Sequence, residues 1–197
     1  MDKFLDMAGK KNKQKSSKPY STSDEITVVE EPVAAYLSAN KGLTWIKGTS
    51  PKKNYIRRSL ELMDVENISP FNKVENTADF IECIREGVPK KALDNLIQVT
   101  GINAIEMAGI VRTSDRTLRR YSPKQRLNAE QSERVIEIAK VYSRGEEVFG
   151  SLNAFSEWMS STVLALGNKK PKDFLDTSLG IEMLMDEIGR IEHGIFA

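Results

Sequence analysis

Apolar residues between Thr77 and Pro123 recur at the three- and four-residue spacing of helices, in four short runs. Each run is bounded by a residue that starts or stops a helix: Thr77, Asn103 and Thr113 or Ser114 suit N-caps, and Pro123 stops a helix. The spacing therefore predicts four short helices that pack as a compact all-α unit. The predicted inward residues are Phe80, Ile81, Ile84, Val88, Ala92, Leu93, Leu96, Ile97, Ile105, Met107, Ala108 and Val111.

Further helices are predicted downstream, and the longest covers about residues 128–149. Gly150 is its natural stop, and Gly145 is expected to weaken its last turns because glycine disfavours helix interiors. A short helix, a one-turn helix at residues 172–175 and a last amphipathic helix follow. The N-cap candidates are Ser151 or Asn153 and Asp176 or Thr177. The inward residues are Val135, Ile136, Ile138, Ala139, Tyr142, Phe155, Trp158, Met159, Ile181, Leu184, Met185, Ile188 and Ile191.

The first part of the chain has a different character. Residues 1–30 are rich in Lys, Ser, Asp and Glu, so they bury too little apolar surface to offset the ordering entropy, and we predict disorder. Residues 31–75 contain short helical patterns, one after Pro32 and one at residues 54–63, interrupted by Gly and Pro. We expect residues 1–75 to form a partly disordered, loosely attached N-terminal extension.

Charge and composition limit the class of protein. The formal net charge is +1, but a basic stretch at residues 112–126 contrasts with an acidic one at residues 180–197. No apolar run has the length of a membrane span, and the first residues lack the apolar region of a signal peptide. Cys83 is the one cysteine, so no intrachain disulfide can form. We expect a cytoplasmic protein without membrane contact.

Residue types for catalysis are scarce. The one histidine, His193, follows Glu192 at the end of a helix, where a cation complements the helix dipole. Capping or packing therefore suits His193 better than catalysis. The sequence has no Cys/His metal cluster, glycine-rich phosphate loop or nucleophile elbow. We predict no enzyme activity, no metal site and no cofactor.

The basic stretch carries the spacing of a helix-turn-helix. Such a unit needs a small residue at the helix crossing, a tight turn about four residues later and an apolar residue about six further on. Ala108, Arg112 and Leu118 stand at these positions. Arginine's fork matches guanine O6 and N7 in the major groove, and it also suits phosphates. We predict a DNA-contact surface in which Arg116 and Arg120 read bases, and whose other members are Ser114, Thr117, Arg119 and Lys124.

A helical hairpin with a solvated basic face is the alternative interpretation of the same residues. Arg112 counts against a helix-turn-helix, because turns of this kind often have glycine where φ is positive. A side chain there costs about 1 kcal/mol.

The order of several short motifs resembles a known family. Arg116-Thr117-Leu118 precedes Ser132-Glu133-Arg134, and Trp158 and a Leu166-Gly167 pair follow. The remaining motifs are Glu147-Val148-Phe149-Gly150, Pro171, Leu175-Asp176-Thr177, Gly180 and Gly189-Arg190-Ile191-Glu192-His193-Gly194. Over about residues 78–197 the chain resembles the Xre/MbcA/ParS family of type II antitoxins, whose partners are RES-domain toxins. It departs from the family pattern at Thr162-Val163, where Pro-Asn is usual, and at Gly145, where Ala is usual.

This resemblance implies an Xre/Cro-like helix-turn-helix at residues 76–126 and a C-terminal toxin-binding domain at residues 127–197. It further implies a homodimer, a hetero-oligomer with the toxin, occlusion of the toxin's NAD pocket and repression of the protein's own operon DNA. Carried onto this sequence, the toxin-binding end is residues 189–197. Because its last residues are apolar, we expect Arg190, Ile195, Phe196 and Ala197 to contact the pocket, with His193 and Gly194 in the same toxin-binding surface. A stand-alone transcription regulator, whose C-terminal domain only dimerises or senses a ligand, is the alternative function.

Overall fold

The computed structural model describes residues 55–194, so our predictions for residues 1–54 and 195–197 lie outside the described part. Those predictions include the disorder of residues 1–30, the short helix after Pro32 and the contacts of Ile195, Phe196 and Ala197. Residues 55–194 form eight α-helices and four 3₁₀-helices without a strand, which confirms the all-α prediction. None of these helices is long and apolar enough to cross a membrane.

The helices follow one another with short connections. In chain order they are α1 (Tyr55–Met63), α2 (Phe80–Glu86), α3 (Lys90–Thr100), α4 (Ala104–Ile110), α5 (Asp115–Arg120), α6 (Ala129–Phe149), α7 (Leu152–Ser160) and α8 (Ser178–Glu192). The 3₁₀-helices are Phe71–Lys73, Thr77–Asp79, Leu164–Leu166 and Pro171–Phe174.

Side-chain caps fix most of the helix starts. The side chains of Asn103, Ser114, Ser151 and Thr177 each accept a hydrogen bond from a backbone N–H in the first turn, which confirms these predicted caps. The prediction for Thr77 was wrong by one residue. Asn76 is the cap there: its side chain accepts from the N–H of Ala78 at 2.9 Å.

Helix α6 is the centre of the fold. Helices α1, α2, α7 and α8 all pack against it, and α3 contacts α1, α6 and α7. The buried apolar side chains form one continuous cluster that extends from Ile56 in α1 to Ile191 in α8. The predicted boundaries after residues 75 and 126 do not separate two hydrophobic cores, because this cluster continues across both of them. The division into a DNA-binding and a toxin-binding part therefore stays a proposal about function.

The expectation of a loose extension was wrong for residues 55–75. Leu62, Met63 and Phe71 are buried in the shared core. Polar contacts to α6 reinforce the packing: the Arg58 guanidinium pairs with the Glu146 carboxylate at 2.6 Å. Nothing in a short helical pattern shows whether another helix will cover it, because the receiving surface lies about ninety residues away on α6.

Two predicted inward residues face solvent. Ile81 on α2 is 50% exposed and Ile105 on α4 is 70% exposed. Each helix has two turns and apolar residues on more than one side. The helical period alone therefore could not show which side would be covered.

Gly145 permits a close contact between helices. Helix α6 continues through it to Phe149, so the predicted weak point does not end the helix. A Cβ at position 145 would lie 2.3 Å from the ring of Phe155. That ring packs edge-on against Tyr142 and also contacts Phe149 and Trp158, with centroid distances of 5.1–5.6 Å. Glycine at position 145 therefore lets the Phe155 ring of α7 pack directly against α6.

Cys83 behaves as a buried apolar residue, as predicted. Burial, together with the Glu82 carboxylate, raises the pKa of its thiol to about 11. At pH 8 the folded protein should therefore react with iodoacetamide far more slowly than the urea-unfolded chain, because the thiolate is the nucleophile. Mass spectrometry of timed samples measures both rates, and equal rates would contradict this assignment.

Candidate functional site

Helices α4 and α5 form the predicted helix-turn-helix. Ala108 and Leu118, at the crossing and in the second helix, are 2% and 4% exposed. The Thr113 N–H donates to the Ala108 carbonyl oxygen at 2.9 Å, which closes the end of α4. Arg112 lies between them with φ 53°, the left-handed conformation that the spacing predicted for this position. The turn therefore forms despite the side chain.

A second contact holds this turn in place. The Arg112 guanidinium pairs with the Glu130 carboxylate of α6 at 2.8 Å. Both side chains are more than half exposed, so the pair contributes about 0.2–1 kcal/mol. The turn between the two helices is thereby tied to the start of the central helix.

Three of the predicted DNA-contact residues make local contacts. The Ser114 hydroxyl accepts from the N–H of Thr117 at 3.0 Å, and the two hydroxyl oxygens lie 2.7 Å apart. The Arg119 guanidinium pairs with the Asp115 carboxylate at 2.8 Å. These contacts fix the first turn of α5 and orient Arg119 along the helix.

The remaining three members of the predicted DNA-contact surface carry charges that no neighbouring side chain in the described part neutralises. Arg116, Arg120 and Lys124 are exposed, and none has an ion-pair partner among residues 55–194. Arg116 and Arg120 lie one turn apart, so both side chains leave α5 on one face. Such an exposed, unpaired pair of guanidinium groups suits the polyanionic surface of DNA.

A second candidate surface lies along the outer face of α8. Arg190 is half exposed, and its guanidinium is held at 3.0 Å by the carboxylate of Glu187, a side chain only 6% exposed. Sequence reasoning did not identify Glu187 as the partner of Arg190. The sequence did contain a signal for this pair: Glu187 stands three residues before Arg190, which places both side chains on one side of a helix, and it is next to the apolar residue Ile188.

Two exposed apolar side chains share this face with Arg190. Leu179 and Met183 are 69% and 41% exposed. Positions 179, 183 and 190 fall on one side of a helix, because they are spaced by four and seven residues. Sequence reasoning also missed this pair, although the two residues stand out of phase with the buried face. We call Leu179, Met183 and Arg190 the α8 face.

The end of α8 contains the other described members of the predicted toxin-binding set. His193 is the C-cap residue of α8, which agrees with the predicted capping role. Its side chain is 71% exposed and its Nε2 lies 3.9 Å from the Glu192 carboxylate. Gly194 follows with φ 66°. Residues 195–197 lie outside the described part.

The metal-ligating and nucleophilic residue types lie apart in the described part of the chain. Among residues 55–194, no group of three His, Cys, Asp or Glu side chains could hold a metal ion. Cys83 is buried on α2, whereas His193 is exposed at the end of α8.

Two known domain families match consecutive parts of this chain. Residues 79–140 match the antitoxin Xre-like helix-turn-helix domain, which contains α4 and α5. Residues 144–194 match the antitoxin Xre/MbcA/ParS C-terminal toxin-binding domain, which contains α8.

Individual relatives are similar to this chain over somewhat more than half of its length. An antitoxin Xre from Photorhabdus laumondii is 30% identical over 114 residues, which are 57% of this chain and 77% of the relative. An antitoxin Xre from Yersinia enterocolitica is 29% identical over 119 residues, or 59% of this chain and 80% of the relative. A Prs ADP-ribosylating antitoxin from a Sphingobium species is 28% identical over 129 residues, or 60% and 81% of the two chains.

Proposed function

Because this chain belongs to the Xre/MbcA/ParS family of type II antitoxins, we propose that its C-terminal end binds a RES-domain toxin and occludes the toxin's NAD pocket. The helix-turn-helix binds the operator of the chain's own operon and represses it. Both activities are exerted by a homodimer and by its hetero-oligomer with the toxin.

The contact between Arg190 and Glu187 carries the toxin-binding part of this proposal. A buried carboxylate at 3.0 Å holds a half-exposed guanidinium, so less side-chain freedom is lost when a partner binds it. Leu179 and Met183 supply apolar contact area beside it. Arginine surrounded by apolar side chains is a common composition for the centre of a protein interface.

Gly189 gives independent support for close approach of a partner. Glycine inside a helix costs about 1 kcal/mol relative to alanine. A Cβ at position 189 would meet no described atom within 4 Å, so the described fold does not require glycine there. We infer that the bare backbone admits the toxin next to Arg190, and that His193, Gly194 and residues 195–197 continue this contact into the pocket.

The Sphingobium relative supports the choice of an NAD-using toxin. Its name joins an antitoxin to ADP-ribosylation, a reaction in which NAD is the usual donor of the transferred group. We carry this to the present chain as a toxin that consumes NAD or transfers ADP-ribose. An inhibitor that fills the NAD pocket would block either reaction.

Arg190→Ala is expected to weaken toxin binding by about thirtyfold or more, the size of an interface hot spot. Removal of residues 195–197 should weaken it in the same direction. Glu187→Gln should cause a smaller loss, because it keeps Arg190 and removes only the charge that orients it. Titration of the purified toxin with each variant, read as NAD consumption, measures these effects.

The control for this experiment is Arg57→Ala on α1, whose side chain is 81% exposed. It should neutralise the toxin as well as the parent chain does. Full neutralisation by both Arg190→Ala and the truncated chain would overturn the assignment of this surface. A last comparison uses a RES-domain protein encoded by an adjacent gene. If the parent chain binds operator DNA but neither copurifies with that protein nor rescues growth when it is expressed, the stand-alone regulator is correct.

A further inference from the structure

A short basic loop next to the helix-turn-helix is not used by the function proposed above. Residues 167–170 are exposed and include Lys169 and Lys170. The backbone of this loop is fixed at three points. The N–H of Val163 donates to Lys169 at 3.1 Å, that of Asn168 to Val163 at 3.0 Å, and that of Asp173 to Lys170 at 3.0 Å. We call residues 168–170 the lysine loop.

An ion pair attaches this region to the first helix of the helix-turn-helix. The Lys172 ammonium, two residues beyond the lysine loop, lies 2.8 Å from the Glu106 carboxylate in the first turn of α4. Both side chains are only about a quarter exposed, so the contact is partly shielded from solvent. The lysine loop is therefore held beside the start of α4 although it belongs to the C-terminal part of the chain.

The way a helix-turn-helix binds DNA indicates which part of the DNA the lysine loop would face. The second helix enters the major groove, and the first helix crosses the DNA backbone. On DNA bound in this geometry, a loop fixed to the first turn of α4 would lie next to a phosphate strand. Because Lys172 neutralises Glu106, that carboxylate repels the strand less.

The charges of the lysine loop suit this position. Among residues 55–194, neither Lys169 nor Lys170 has an ion-pair partner, and Asp173 is the nearest carboxylate in the sequence. The Lys169 ammonium lies 5.9 Å from the centroid of the Phe174 ring, a cation–π contact that limits its motion. Two ammonium groups are thus presented on a fixed backbone.

We propose that Lys169 and Lys170 bind DNA phosphates beside the groove that α5 reads. This inference rests on the proposed operator binding and extends it to the C-terminal domain. Contacts to phosphates add affinity and fix the orientation of the protein on DNA, but they do not read sequence. The toxin-binding domain thereby takes part in DNA binding.

The test is the salt dependence of DNA binding by the full chain carrying Lys169→Gln and Lys170→Gln. Two lost phosphate contacts should reduce the slope of log affinity against log salt by about 1.8. Affinity at 0.1 M salt should fall on the order of tenfold for the operator, and by the same factor for an unrelated duplex of equal length. The control, Arg57→Gln with Lys73→Gln, makes the same change in net charge outside the helix-turn-helix.

Each outcome has a separate meaning. If the parent chain binds its upstream DNA and the lysine variant keeps the parent slope, this inference is overturned and operator binding stands. An unchanged slope with weaker binding to the toxin would assign the lysine loop to the protein partner, which also overturns it. If the parent chain shows no specific binding, both operator binding and this inference fail.

Discussion

Replacing Arg116 and Arg120 together by alanine is expected to abolish sequence-specific binding to the DNA upstream of the gene. Both side chains leave one face of α5, are exposed and have no ion-pair partner among residues 55–194. A bidentate contact between arginine and guanine contributes about 1–3 kcal/mol of discrimination. Loss of two should reduce the ratio of specific to non-specific affinity by ~10²-fold or more.

The ratio is measured by titrating operator and scrambled duplexes at one fixed salt concentration. The control is Arg57→Ala with Arg85→Ala, which removes two exposed arginines from α1 and α2. Lys124→Gln gives a second comparison, because loss of a phosphate contact should weaken both duplexes equally. A parent-like ratio in the Arg116 and Arg120 variant would mean that α5 does not read the bases.

Gly145→Ala is expected to destabilise the folded chain, although alanine favours helices. The new Cβ would lie 2.3 Å from a buried phenylalanine ring, closer than any real contact. The ring cannot swing away freely, because Phe149 and Trp158 contact it. Overpacking of this kind costs about 1–3 kcal/mol. The melting temperature should fall by about 2–4 °C for each kcal/mol lost.

Two further variants separate steric overlap from helix propensity. Gly109→Ala in α4 should stabilise the chain by about 0.5–1 kcal/mol, because its Cβ meets no described atom within 4 Å. Phe155→Leu should make Gly145→Ala less costly than it is in the parent background. Thermal and urea unfolding provide the free energies. A stabilising Gly145→Ala would show that the aromatic cluster rearranges easily.

Helix positions and most caps were predictable because they depend on neighbours in the sequence. Asn103, Ser114, Ser151 and Thr177 cap helices through bonds to residues two or three positions away. The covered side of a short helix was less predictable. Ile105 has the helical spacing of its buried neighbours and is nevertheless 70% exposed, since no described element covers that side of α4.

The candidate surfaces also contain residues that the sequence predicts and residues that only the fold reveals. The turn residue Arg112 and the arginines of α5 followed from a local spacing rule, although their roles in binding DNA stay a prediction. Glu187 as the anchor of Arg190 and the lysine loop beside α4 did not follow from it. The position of the lysine loop depends on an ion pair between Lys172 and Glu106, residues far apart in the sequence. Such a pair is visible only when the fold brings the two helical regions together.

The single hydrophobic cluster from α1 to α8 has a consequence for how long the protein survives in a cell. A protease that attacks the opened chain depends on the fraction of molecules that are open. A bound toxin or operator lowers that fraction by stabilising the folded state, by about 2.7 kcal/mol when the ligand is present at a hundred times its Kd. Because α5 and α8 share one core, protection gained at either surface extends to the other. Under the proposed function, toxin abundance would therefore also set the lifetime of the repressor.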